Sequence, residues 1–301
     1  MPTEITYRLH HFGLLCQDMD QSLGSYHDHF GSQLTSRWYN RGLLDISFLG
    51  RGSDATVELV AAPFMPYEES FLDRHGYGIN HLSFLVDDAG AAYEELKAQG
   101  VRVAWEPKRV LELWQCGFYD EDGLLFEVFN PLDPANPLAT PEPIRAARPD
   151  DLSLNHVSLL TPDLRQAERF YTDKLGMKTV LEFREDGGGF VLLADRCFDP
   201  ETHNFTLEIV GPPGLEPREQ AMLEKHGACL DHLCYAAEDV QSAWQATLAR
   251  GAPNAAAPVQ AYGTRLAWVK DADGNDVEIM NPYPAERLRA ALVSGAPIEI
   301  S

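Results

Sequence analysis

Leu230-Asp231-His232-Leu233 is one of four copies of a single short phrase; the others are Leu9-His10-His11-Phe12, Ile79-Asn80-His81-Leu82 and Leu154-Asn155-His156-Val157. Each places an apolar residue, a polar one and a histidine at the head of an apolar strand. Each is followed, well downstream, by a glutamate inside another apolar strand: Glu58, Glu127, Glu208 and Glu278. The His-to-Glu separations are 47, 46, 52 and 46 residues (58−11, 127−81, 208−156, 278−232). Two imidazoles and two carboxylates recurring at that spacing in each half read as a duplicated metal-site module.

Working outward, the two halves superimpose by simple offsets: 145 from His11 to His156, 150 from Glu58 to Glu208, and 151 for both His81 to His232 and Glu127 to Glu278. Between them, Pro131 to Pro149 reads PLDPANPLATPEPIRAARP. Prolines at that density neither continue a helix nor sit inside a sheet, so the expected boundaries are an N-terminal domain 1–133, a linker 134–151 and a C-terminal domain 152–301. Within each half the pattern divides again. A histidine strand is followed by a polar turn and an amphipathic helix, as in Met19, Leu23, Tyr26 and Phe30 or Leu164, Ala167, Phe170, Tyr171 and Leu175. The helices are expected to stop at Gly31, Gly100, Gly176 and Gly251, and about three further strands complete each unit. Ala285 to Val293 reads as one extra helix.

Strand alternation puts His11 on a side with Gly13, His81 with Ser83, His156 with Ser158 and His232 with Cys234, leaving room beside each imidazole. The same rule turns His10 away from His11. A glutamate in so apolar a strand either faces water or is stabilised by a cation, because burying it unpaired costs several kcal/mol or more.

Composition sets the outer limits. The chain has 301 residues, 45% of them hydrophobic, and a formal net charge of -22. That acidity argues against a nucleic-acid partner, which needs concentrated Lys and Arg. Neither a span of about eighteen apolar residues nor a signal pattern is evident, so the expected address is cytoplasmic, with no membrane partner. Five widely spaced cysteines without a CxxC pair suit reduced thiols rather than ligands.

At these residues the sequence resembles the vicinal oxygen chelate superfamily, which includes glyoxalase I, methylmalonyl-CoA epimerase, bleomycin resistance proteins and type I extradiol dioxygenases. Arg169-Phe170-Tyr171-Thr172-Asp173-Lys174-Leu175-Gly176-Met177 is similar to the family's first helix. Asp271-Ala272-Asp273-Gly274-Asn275 is similar to its turn before the last ligand. The stretches Phe71 to His81 and Met222 to His232 resemble the epimerase's crossing between units. The resemblance implies an α+β fold of four βαβββ modules, paired into two cupped, open-barrel domains in tandem. It implies two metal sites, His11, Glu58, His81 and Glu127 in one and His156, Glu208, His232 and Glu278 in the other, for a divalent ion (Co, Mn, Ni, Zn or Fe).

Such a donor set suits stabilisation of an enolate or enediolate while a proton moves beside a carbonyl, with Glu127 or Glu278 as the base. A metal-dependent isomerase or lyase, of epimerase or glyoxalase type, is the first expectation. An Fe(II) extradiol dioxygenase, with His156, His232 and Glu278 as triad, is the second. Against it, those enzymes usually carry a small residue where this chain has Glu208, and a histidine in the last unit where this chain reads Gln260 to Trp268 without one. A non-catalytic small-molecule binder is the third, with Trp38, Tyr39, Trp114, Phe118, Tyr262 and Trp268 as stacking candidates near the cups. The partner in every case is a small carbonyl or aromatic molecule, and a homo-oligomer is compatible with all three. His75 and His226, each six residues before a ligand histidine, are expected to border the cups.

Overall fold

The structure is a computed structural model, and it describes residues 5–39, 45–50, 56–61, 65–111, 113–132, 152–185, 188–199, 205–213 and 215–300. The proposed linker 134–151 lies outside the described residues. The first module contains β1 (Arg8–Leu15), α1 (Met19–Ser25) continued by a π turn (Tyr26–Phe30), β2 (Gln33–Tyr39), β3 (Asp45–Gly50) and β4 (Thr56–Val60). After α2 (Pro66–His75) the second follows: β5 (Gly78–Leu85), α3 (Ala89–Ala98), β6 (Arg102–Val110), β7 (Leu113–Tyr119) and β8 (Leu125–Pro131). The third has β9 (Ser153–Leu160), α4 (Leu164–Leu175), β10 (Lys178–Glu185), β11 (Gly188–Ala194) and β12 (Thr206–Gly211). After α5 (Pro217–His226) come β13 (Cys229–Ala236), α6 (Val240–Ala249), β14 (Asn254–Ala261), β15 (Thr264–Lys270) and β16 (Asp276–Met280), then α7 (Ala285–Ser294) and β17 (Ile298–Glu299).

Local chemistry repeats with the modules. Each module helix is capped by an aspartate, Asp18, Asp88, Asp163 or Asp239, whose carboxylate accepts from a backbone N–H in the first turn. Gly31, Gly100, Gly176 and Gly251 all have positive φ just past the helices, as expected of left-handed caps. The connecting helices α2 and α5, which the periodicity did not reveal, each start with Pro and a reciprocal cap, Glu68 or Glu219 reaching back to the backbone N–H at the start of its own helix.

Modules one and two form an eight-stranded sheet, β2-β3-β4-β1-β5-β8-β7-β6, and modules three and four a nine-stranded one, β14-β15-β16-β13-β9-β12-β11-β10-β17. In both, the two histidine strands run antiparallel at the centre, each flanked by the glutamate strand of its own module in parallel. The face opposite the histidines is apolar. Phe12, Leu14, Leu82, Phe84, Val157, Leu159, Leu233 and Tyr235 all belong to one buried cluster that runs through both halves. Phe12 stacks on Phe205 and Phe30 on Tyr235 across the junction. The join is reciprocal: Tyr26 donates to Asp271 and Tyr171 to Asp120, both at 3.0 Å, with every group buried.

The extra helix α7 has a role that its sequence did not disclose. Its buried residues, Leu288 and Ala291, pack with Leu160, Phe190 and Leu192, which lie on the histidine-bearing face of the second sheet. The first sheet has no counterpart among the described residues.

Gly13 faces both His81 on β5 and Glu58 on β4. A methyl group there would sit 1.9 Å from His81 Cε1, inside the ring's own volume. Gly13→Ala is therefore expected to lower unfolding free energy by about 1–3 kcal/mol through overpacking. Ser83→Ala, which removes a buried hydroxyl without a hydrogen-bond partner, should leave it nearly unchanged. Urea unfolding of the two variants checks the pair.

Candidate metal centres

All eight predicted donors point into the two cups. Each lies on a histidine strand or the strand beside it; seven are buried, from His81 at 1% exposed to Glu58 at 9%, and Glu208 is half-buried. In the first cup Glu58 Oε2 lies 3.8 Å from His11 Nε2 and 3.1 Å from His81 Nε2, and Glu127 Oε2 lies 3.6 Å from His81 Nε2. In the second, Glu208 Oε2 is 3.8 Å from His156 Nε2 and 3.6 Å from His232 Nε2, while Glu278 Oε2 is 3.4 and 3.9 Å from the same two nitrogens. One triad in each cup, His11, His81 and Glu127 or His156, His232 and Glu278, has donor atoms all within 4.8 Å of one another.

What aims the imidazoles is a backbone device repeated four times. The ladder between each pair of histidine strands slips by one residue at His10, Asn80, Asn155 and Asp231, the position before each histidine. A bulge of this kind interrupts alternation, so two consecutive side chains reach the same side. Asn80 Oδ1 accepts from His81 Nδ1 at 3.1 Å, Asn155 Oδ1 from His156 Nδ1 at 3.0 Å, and Asp231 Oδ2 from His232 Nδ1 at 2.9 Å. In the neutral ring, an oxygen acceptor fixes the proton on Nδ1 and leaves the Nε2 lone pair facing the cup. His10 does not turn away from His11, as alternation had implied; its Nδ1 lies 3.0 Å from His11 Nδ1. The polar residue before each histidine was visible in the sequence, but its orienting role was not.

The donor chemistry fits a divalent ion of intermediate hardness. Nε2 of His81, His156 and His232 is buried with no hydrogen-bond partner, a costly state for an imidazole unless something else meets it. Neutral imidazoles and carboxylates are the donor types that Zn, Mn, Fe, Co and Ni accept. Cys234, opposite Glu278 in the ladder, is held as a thiol by burial and by the Glu278 charge, so it does not add a thiolate.

The cups differ electrostatically. Burial pushes the Glu58 and Glu127 carboxyls upward, toward the protonated form. Burial alone lowers His11, and the neighbouring His10 and His81 add to this, so that ring is neutral. In the second cup burial would lower His232, but the bond to Asp231 and the charges of Asp231, Glu208 and Glu278 outweigh it and raise it to about 9. Burial would likewise raise Glu278, but His156 and His232 beside it hold it below the ordinary carboxylate value.

Their walls differ too. Tyr67 donates to Glu127 Oε1 at 3.0 Å and stacks on Trp105, which covers Gly117 opposite Glu127. At the matched positions the second cup has Arg218, Ala256 and Trp268. Arg218 forks onto Asp231 at 2.9 and 2.6 Å, and Trp268 packs edge-on against His232 at 4.7 Å. The indole has moved to the neighbouring strand, paired as Trp105 with Gly117 in one lobe and as Ala256 with Trp268 in the other. Of the other aromatics, Phe118 is in the core on the far face, Trp38 packs on Phe48, and Tyr262 packs on Phe183 and Phe190. His75 and His226 do not border the cups; they meet each other, Nδ1 to Nδ1 at 3.2 Å. The first cup encloses only about 20 Å³ of water-accessible space, room for an ion. A 750 Å³ cavity lies between α6 and the start of α7 and reaches Asn155 but none of the eight donors.

Comparison with known proteins agrees with this architecture. The profile of the Glyoxalase/Bleomycin resistance protein/Dioxygenase superfamily matches residues 8–128 and again 153–279. A putative lactoylglutathione lyase of Brassica oleracea var. gemmifera is 30% identical over 131 residues, 43% of this chain and 44% of that protein. The chain thus spans under half of that relative's length. The lactoylglutathione lyase of Salmonella typhimurium is 28% identical over 138 residues, 45% of this chain and 97% of that protein. Among solved structures, a Mn(II)-bound glyoxalase from Novosphingobium aromaticivorans superposes with a TM-score of 0.63 at 19% identity, covering 91% of this chain and 83% of that one. The 2,3-dioxygenase LapB from Pseudomonas sp. KL28 superposes at 0.61 and 17% identity, covering 92% and 94%. At such identities these two show the fold alone. No helix among the described residues is long and apolar enough to cross a membrane. The chain belongs to the Glyoxalase/Bleomycin resistance protein/Dioxygenase superfamily, whose profile it matches twice in tandem.

Proposed function

We propose that the protein is a divalent-metal-dependent lyase or isomerase that moves a proton beside a carbonyl group, with the lyase of glyoxalase type as the nearest reading. The observation that carries it is the four-donor set in each cup, two imidazoles and two carboxylates converging from paired modules. His11, Glu58, His81 and Glu127 would hold one ion and His156, Glu208, His232 and Glu278 the other. The ion supplies Lewis-acid polarisation of the carbonyl oxygen as negative charge develops on it. The protein's own groups do the rest. Glu127 carries a carboxylate whose Oε1 accepts from Tyr67, which leaves Oε2 facing the cup to take and return a proton. Glu278 holds the corresponding place in the second cup, with its carboxyl kept ionised. Trp105 and Tyr67 on one side, and Trp268 on the other, exclude water from the carboxylates.

The relatives named as lactoylglutathione lyases supply the first substrate to try. Formation of lactoylglutathione from methylglyoxal and glutathione, run anaerobically in D2O, is expected to place solvent deuterium on the lactoyl carbon. It should stop on chelation and return with Mn(II), Co(II) or Ni(II). Glu127→Gln and Glu278→Gln together should lower the rate by roughly 10²–10⁴-fold.

The tight triads of two histidines and one glutamate favour a second reading, since that set also serves oxygen-activating Fe(II). Fe(II)-dependent O2 uptake with a catechol, and no deuterium incorporation, would shift the assignment to ring cleavage.

The charge states also set a pH dependence for the metal-free protein. Glu58 and Glu127 have folded values above the ordinary 4.5, so their contribution to stability is complete below that value and is lost as pH rises through the raised ones. His232, raised to about 9, acts in the same direction, from 6.5 up. His11, held neutral, acts the other way but only below its ordinary 6.5, so melting temperature without metal should decline from neutral to alkaline pH. Mn(II), which binds the deprotonated donors, should flatten the decline and release protons on binding. A metal-free melting curve that rises over that range would contradict the assignment of these groups.

A further inference from the structure

Between the two lobes, on the far side of the Tyr67 and Trp105 wall from the first cup, lies a cavity of 560 Å³. It reaches neither His11 nor Glu127, and no role falls to it in the chemistry above. Four features of its lining point one way. Arg74 bonds only a backbone oxygen, and Lys108 meets only the Met65 sulfur and the Trp105 ring face. Among the described residues, neither has a carboxylate partner. In a chain with 46 acidic and 24 basic residues, two such cations beside one cavity form a local reversal of charge. The third feature is Asn80, 4% exposed, whose Oδ1 is held by His81 and whose Nδ2 has no hydrogen-bond partner. The fourth is Trp105 Nε1, also buried and unpartnered.

Two orphaned N–H donors and two cations without a carboxylate partner, in a lining that also carries Tyr67, Phe71, Trp105 and Tyr119, want an acceptor that is anionic on a body that is aromatic. The acidic group on the lining, Asp122, is already engaged by Thr161 at 2.6 Å. The other lobe provides an internal comparison. At the position matching Asn80 stands Asp231, and the position matching Tyr67 supplies Arg218, whose fork satisfies both of its oxygens. There the requirement is met from within the chain. At Asn80 it is left to something that enters.

We propose that this interlobe cavity is a binding site for a small aromatic carboxylate or similar planar organic anion, held by Lys108 and Arg74, by the Asn80 and Trp105 N–H groups, and by apolar contact with the Tyr67, Phe71 and Tyr119 rings of the lining. His75 and His226 lie on its floor, so both lobes contribute to it. The site does not depend on metal binding in either cup.

Isothermal titration of the full chain with 2-naphthoate, against the neutral 2-naphthylmethanol, tests the assignment. Saturable binding at one site per chain is expected, with the alcohol at least about tenfold weaker. Lys108→Gln with Arg74→Gln should weaken naphthoate at least about tenfold while leaving the alcohol unchanged. Asn80→Asp, which installs the residue that the other lobe carries at this position, should weaken it comparably by placing a carboxylate against the anion. Circular dichroism verifies that each variant folds. No saturable binding up to about 5 mM, equal affinity for acid and alcohol, or full affinity in the Lys108/Arg74 double variant would overturn the proposal.

Discussion

The site rests on four β-bulges, each one residue before a histidine. Without the bulge, a strand sends consecutive side chains to opposite faces, and the polar residue of the repeated phrase would point into the apolar layer between the lobes. With it, His10, Asn80, Asn155 and Asp231 stand beside the rings they precede. The bulge thus does three things at once. It keeps polar groups out of the buried cluster, fixes the tautomer of three imidazoles, and aims their Nε2 atoms at carboxylates on the neighbouring strands. The small residues two positions beyond each histidine complete the arrangement, because the facing strand brings another ring over them. Gly13 under His81 is the extreme case, where even a methyl group has no space.

Around that shared frame the lobes have diverged in ways that conserve volume and polarity together. One indole fills each cup wall but comes from β6 in the first lobe and β15 in the second, with a small residue opposite in both. At the second histidine of each lobe the orienting group is an amide, Asn80, in the first and a carboxylate, Asp231, in the second, and only the carboxylate is matched by a guanidinium. This difference propagates to charge: the first cup's carboxyls are driven toward neutrality by burial, whereas the second is internally ion-paired. The helix α7 adds a further distinction, since it packs on the site-bearing face of the second sheet only. Two cups with the same four-donor plan therefore meet their ligands under different electrostatic and steric conditions.

Much of this was legible in the sequence because it is local or repeated. The four histidines and four glutamates, the module order, the helix faces and the glycine stops follow from periodicity and offsets, and the structure brings all eight donors together. What escaped was non-local. A bulge is a property of two strands in register, and neither strand announces it alone, so His10 was misdirected by simple alternation. His75 and His226 were expected beside their own cups, but matched residues at the ends of α2 and α5 meet across the lobe junction. The helices α2 and α5 were hidden by weak amphipathicity: α5 has no buried residue and α2 buries only Glu68, so neither shows an apolar stripe. Tyr67 and Arg218, the second residues of these two helices, were invisible as site residues for that reason.

The central claim is convergence of paired modules on one cation per cup. Anomalous scattering from crystals grown with Mn(II) tests it most directly. The account predicts one peak in each lobe, about 2.0–2.2 Å from the Nε2 atoms of His11 and His81, or of His156 and His232, and within reach of the glutamates. Peaks elsewhere, or none in either cup at saturating metal, would contradict it.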